Sequence, residues 1–333
     1  MKKYFPAFIF AIILFAGLLT FNHYGQSWDE DSLQTYARKS INAYSTWRAE
    51  GIVNLSRDDL AFYGPAFVML VEWLAQNIKT SFHISDVRHL IYFITYFFGT
   101  LAFYSIAKRW LNQNASLGAT LLFATQPLLW GHAFINPKDT PFLSLFLISI
   151  ALGFKAFDSI SFESAHKKNL TLLTCFWLVT VFGLFLLTQT IHSYISELVI
   201  SAQAGNTNII SLIAKNVSGV SADVYTQRYF ILFLQIRTFY FLLSTFVLLF
   251  IYYRFQPNLL KTILLLLPAG FILGFATSTR ILGPFAGLLI TIYQLRTRGK
   301  QAFVPITIYA IIALIATYLT WPYLWMNPLP RFF

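Results

Sequence analysis

Apolar stretches close to the length of a bilayer crossing recur along the whole of this 333-residue chain, and most of its charge falls between them. Backbone inside lipid must satisfy its own hydrogen bonds, so such stretches are restricted to helices. An all-α polytopic membrane protein is therefore expected. Only 11% of residues are charged, where a soluble domain carries about a quarter, so an ordinary soluble fold is excluded. Met1-Lys2-Lys3 and the run after it resemble a signal peptide. Ala16-Gly17-Leu18-Leu19-Thr20-Phe21 offers only a weak cleavage site, so a retained first helix is expected. The lone Cys175 lies inside an apolar run, which excludes a disulfide framework and a cysteine metal site.

The span-length rule of about 17–25 residues gives about nine helices, at roughly 4–21, 90–107, 115–131, 140–155, 170–190, 230–253, 261–278, 281–296 and 302–320. With Met1 inside, one set of loops holds Lys108 and Arg109, then Lys155, Lys167 and Lys168, then Arg254 and Lys261, then Arg296, Arg298 and Lys300. The short loops on the other side hold only Lys138 and Arg280. This is the positive-inside pattern, and it explains much of the net charge of +11 without any nucleic-acid partner.

Two large extracytoplasmic loops follow, at 22–89 and 191–229, and loops of that length are usually functional. Residues 61–78 are apolar enough to imitate a span. Glu72 sits in their middle, where a charge at mid-bilayer costs about 2.5–3.5 kcal/mol. Counting them would also put the following basic loops outside. An amphipathic helix on the outer membrane surface is expected instead, and 190–200, around Glu197, reads the same way.

Three polar clusters end apolar runs on that outer side. Asp29 and Glu30 follow the first helix, and a partly desolvated carboxylate beside like charge suits a general base. In His132 to Pro141, Asn136 precedes Pro137, and Pro137 and Pro141 bracket Lys138 and Asp139, where proline stiffness holds charge in place. Arg280 occupies a very short link at the apolar boundary, where a guanidinium suits phosphate. Each cluster also has an ordinary reading: a solvated loop start, a rigid turn with an incidental ion pair, a terminal Arg reaching for water. Arg237 lies inside the sixth span, where its cost marks it for a polar cavity. The histidines 23, 83, 89 and 192 have no metal-ligand spacing, and no phosphate-binding G-x-x-x-x-G-K-[ST] loop is present.

The Asp29-Glu30 pair after the first helix, the outer loop with amphipathic segments and Asn136-Pro137-Lys138-Asp139-Thr140-Pro141 together resemble the polytopic glycosyltransferases of the GT-C fold. Trp321-Pro322-Tyr323-Leu324-Trp325 adds to the likeness. The resemblance is to glycosyltransferase family 39, the group of protein O-mannosyltransferases and lipid A aminoarabinose transferases. It implies a GT-C-like bundle over 1–333, in the plasma membrane, with its site on the extracytoplasmic side. It also implies transfer of a sugar from a polyprenyl-phosphate donor to a lipid, glycan or protein acceptor. By that likeness Asp29 is the base and Glu30 positions the acceptor. Placing Lys138, Arg237 and Arg280 on the donor phosphate rests on charge and side, not on a family motif. No cofactor is required by this chemistry, and a divalent cation is compatible with it. Relatives commonly continue through further helices, whereas this sequence stops at Pro330-Arg331-Phe332-Phe333, so a C-terminally truncated member is one expectation. A transporter or lipid flippase is the alternative, with charge at the midplane and paired broken helices. A non-catalytic relative is the third reading.

Overall fold

A computed structural model describes residues 4–50, 53, 55, 60, 63–160, 168–213, 219–255, 257–326 and 328–332. Met1, Lys2, Lys3, Lys167 and Phe333, used in the sequence reading, lie outside them. The chain is helical, 84% helix with no strand among the described residues. The helices are α1 (Phe5–Thr20), α2 (Glu30–Glu50), α3 (Ala66–Asn77), α4 (Ile84–Ala107), α5 (Gln113–Ala124), α6 (Pro127–Ile135), α7 (Asp139–Asp158), α8 (Lys168–Leu186) and α9 (Thr188–Gln203). They continue with α10 (Ile209–Ile213), α11 (Ala222–Phe255), α12 (Pro257–Thr277), α13 (Pro284–Arg298), α14 (Phe303–Thr320) and α15 (Pro328–Phe332). Among the described residues, 6 helical stretches are long and apolar enough to cross a membrane, or up to 7 if α8 and α9, which meet at a 58° bend, form one span.

The contacts group into two compact units, one of residues 1–45, 54–163 and 261–323 and one of residues 46–53, 164–260 and 324–333. In the first, α4 lies along α7, and Gly99 permits the approach: a Cβ there would stand 2.6 Å from that of Ser144. Small residues at the contact let apolar helices close on each other without a hydrophobic drive. Phe154, Phe157, Leu266, Ile290 and Tyr309 form a core shared by α7, α12, α13 and α14. Past the C-terminal end of α4, Arg109 pairs with Asp158, and its guanidinium lies 4.2 Å from the Phe154 ring centroid. In the second unit, Val199 and Ile210 are buried with Ile195, Leu198, Tyr225 and Tyr229 against them.

Three expectations change. The helix expected over 115–131 is two helices, because Pro127 lacks an N–H and forces Gln126 into an extended conformation. The break is capped: the Gln126 side chain accepts from the Leu129 N–H at 2.7 Å. The helix expected from 90 begins at Ile84, which brings Arg88 and His89 into α4. Glu72 is not the solvent-facing charge that an amphipathic surface helix implies. It is buried, its carboxylate held by Arg88 at 2.8 Å and Arg38 at 2.9 Å, with Gln76 donating at 2.8 Å. Pairing and hydrogen bonding offset much of the cost that an isolated buried charge would carry.

Candidate functional site

The first unit gathers four separate pieces of chain at one place. The first is the turn before α2. The Glu30 N–H bonds the Ser27 carbonyl at 3.2 Å, and the Leu33 N–H bonds that of Asp29 at 3.1 Å. Asp29 thus stands at a helix N-terminus, where the exposed N–H groups favour an anion.

The second piece is the start of α7. Asn136 Oδ1 accepts from the backbone N–H of Lys138 at 3.0 Å and of Asp139 at 2.7 Å. This turn fixes both side chains by the backbone, the arrangement Asn favours before a helix. Lys138 Nζ then lies 2.7 Å from Asp29 Oδ2.

The third piece is the link between α12 and α13. The Arg280 guanidinium pairs with Asp139, while its backbone N–H bonds the Ala276 carbonyl at 3.0 Å. Arg280 Nε is buried and has no hydrogen-bond partner among the described residues.

The fourth piece is the segment before α3. The Tyr63 ring lies near both cations, its centroid 5.4 Å from Lys138 Nζ and 5.2 Å from the Arg280 guanidinium carbon. Tyr36 OH donates to the Tyr63 carbonyl at 2.9 Å, and burial raises that phenol's pKa, so it stays a donor. Gly64 lies against the Ser278 carbonyl, which also accepts from the Ala66 N–H at 3.0 Å. A Cβ on Gly64 would fall 2.0 Å from that oxygen, so only glycine lets Tyr63 come this close to Arg280.

Of the candidates from sequence, Asp29, Asn136, Lys138, Asp139 and Arg280 are brought together. Glu30 stands behind them: it is 0% exposed, with Oε1 3.2 Å from the Ser27 N–H nitrogen and 3.2 Å from His89 Nε2. Arg237 belongs to the second unit, where it is buried, donates to Thr188 Oγ1 at 2.7 Å and lies 4.3 Å from the Phe185 ring centroid. Sequence reasoning missed Tyr63, His89 and the Glu72 ion pairs. The signal for His89 was its place beside Arg88 before an apolar run; for Tyr63 there was none.

Among the described residues, no group of three or more His, Cys, Asp or Glu side chains is arranged to hold a metal ion. A cavity of about 300 Å³ lies past the other end of α4, lined by Arg109, Lys155, Asp158 and Phe154. In the cluster the carboxylates of Asp29 and Asp139 are about half exposed, while the side chains of Lys138 and Arg280 are mostly covered. Comparison with family models, with curated proteins and with solved structures gives no match.

Proposed function

We propose that this chain is a membrane glycosyltransferase of the GT-C type, moving a sugar from a polyprenyl-phosphate donor to a lipid, glycan or protein acceptor on the extracytoplasmic face of the plasma membrane. The observation that carries the reading is the convergence of Asp29, the Lys138-Asp139 pair, Arg280 and Tyr63, from four separate segments of a chain poor in charge. Two cations beside two carboxylates suit the departure of a phosphate and the arrival of a hydroxyl.

In this reading the Asp29 carboxylate takes the proton of the acceptor hydroxyl. The hydroxyl oxygen bonds the anomeric carbon as the bond from that carbon to the phosphate oxygen breaks. Polyprenyl phosphate leaves with the bonding electrons, and Lys138 and Arg280 stabilise the charge it gains. Both cations rest on carboxylates, and such half-exposed pairs are worth only about 0–1 kcal/mol. A donor phosphate can therefore take Lys138 from Asp29, which frees the base as the donor arrives. Half-exposed carboxylates at the ends of helices also suit a donor that enters from the bilayer.

The same reading counts about nine crossings, with α5 and α6 as one broken span and α13 and α14 as two. Supporting the latter, Gly299 between them has φ 56°, and Ile290 and Tyr309 on the two helices share one core. A divalent cation is compatible with this chemistry, and no step depends on one. The alternative, a transporter or lipid flippase, draws support from Arg237, a buried charge within a long apolar helix.

Purified protein in lipid nanodiscs, given radiolabelled polyprenyl-phosphate sugars, separates the two. Transfer or hydrolysis of the sugar supports the enzyme. In proteoliposomes, movement of intact donor between leaflets without bond cleavage supports the flippase.

A further inference from the structure

We propose that His89 is a positioning residue: it grips Glu30, and through Glu30 it holds the Ser27–Glu30 turn that aims Asp29 at Lys138. The inference rests on reading Asp29 as the base, and it changes the part assigned to Glu30. The second carboxylate of the pair does not face the acceptor. Glu30 and His89 both have 0% of their side chains exposed, so neither offers a surface to an arriving hydroxyl.

A carboxylate withdrawn from water loses its hydration, and here Glu30 Oε2 is buried with no hydrogen-bond partner among the described residues, so the side chain is held through Oε1 alone. Glu30 Oε1 has two contacts, and both hold the turn. The Ser27 N–H donates to it at 3.2 Å, which closes the turn on itself. His89 Nε2 stands 3.2 Å away, from the first turns of α4, and ties the turn to that helix. Asp29, in between, is left facing out with 49% of its side chain exposed and its Oδ2 at Lys138.

The grip is itself braced. Arg88, the residue before His89, binds Glu72 of α3 through Nε at 3.1 Å and Nη2 at 2.8 Å. The Tyr92 ring, one turn further along α4, has its centroid 6.1 Å from that of His89. Successive side chains of α4 thus hold α2 and α3. A base on a loose turn would lose much of the benefit of fixed geometry, which a shift of about 1 Å can cut a hundredfold.

The test uses the full chain in nanodiscs, with His89→Leu, which removes the donor, and His89→Gln, which restores an N–H. Hydrogen exchange is read on residues 27–33. The Leu variant should exchange there about 10–100-fold faster than wild type, the loss expected for a hydrogen bond to a charged group, and the Gln variant should recover most of the protection. In transfer assays the Leu variant should lose turnover while both KM values hold, and Gln should restore it.

Unchanged exchange over 27–33 in a folded Leu variant overturns the proposal. If the Leu variant does not fold, Glu30→Gln decides. A raised acceptor KM at normal turnover would put Glu30 on the acceptor and overturn it; lowered turnover at normal KM supports it. The exchange arm needs no activity. Loosening of 27–33 in a protein that transfers no sugar supports the grip and removes the reading of Asp29 as a base.

Discussion

Lys138 Nζ stands 2.7 Å from the carboxylate of Asp29, joining the start of α7 to the start of α2. Their side chains are 24% and 49% exposed, so the pair is screened and readily parted. That is the property a site needs if a donor phosphate is to displace one partner and leave the other as a base.

Asp29→Asn keeps the size of the side chain and most of its hydrogen bonding but removes the basic oxygen. General-base assistance contributes about 10²–10⁴-fold, so turnover should fall within that range while donor affinity stays near wild type. Initial rates with a radiolabelled donor measure this. Full activity in the Asn variant would mean that Asp29 is not the base.

Arg280→Ala should act on the donor. Loss of a charge-assisted hydrogen bond weakens binding by about 10–100-fold, so the donor KM should rise by that factor. Arg280→Lys keeps the charge without the forked geometry and should fall between the two. A donor KM unmoved by either change would take the guanidinium off the phosphate.

Gly64→Ala tests the placement of Tyr63. The added methyl would meet the Ser278 carbonyl at 2.0 Å, and overpacking of this kind costs about 1–3 kcal/mol. Gly118 in α5 has open space around it, so Gly118→Ala is the control and should be neutral or stabilising. Thermal melts in detergent should separate the two; equal melting points would show that the Gly64 contact is slack.

Many features were legible in the sequence because they are local. Apolar runs gave most of the helices, and scarce charge gave Asp29, Lys138, Asp139 and Arg280. What stayed hidden depends on distant parts of the chain. Tyr63 is one of 18 tyrosines in a chain that also has 35 phenylalanines, so nothing local marks it as the ring beside two cations. Glu72 looked costly because its partner Arg88 becomes visible only once α3 and α4 pack. Glu30 was read with Asp29 as one acidic pair at the site, since sequence does not tell which of two neighbours at a helix start turns inward. Pro127 marks the break after Gln126 locally, but the apolar run across it led to a single helix over 115–131.

Glu72→Ala and Asp158→Ala compare a buried ion pair with an exposed one. Removing Glu72 leaves Arg88 buried and unmatched, at a cost of about 3–5 kcal/mol. The Asp158 side chain is 44% exposed, so its loss should cost about 0–1 kcal/mol. A clear fall in melting temperature is expected for the first and little change for the second.

Photo-crosslinking tests whether the four chain segments form one site for a polyprenyl phosphate. A polyprenyl-phosphate analogue with a photoreactive group beside the phosphate is activated on the protein in nanodiscs, and the labelled peptides are mapped by mass spectrometry. Label is expected on peptides containing Tyr63, Lys138 and Arg280, competed away by unlabelled polyprenyl phosphate and reduced in Arg280→Ala. Label confined to α11 around Arg237, or spread over the apolar helices without competition, would contradict that site.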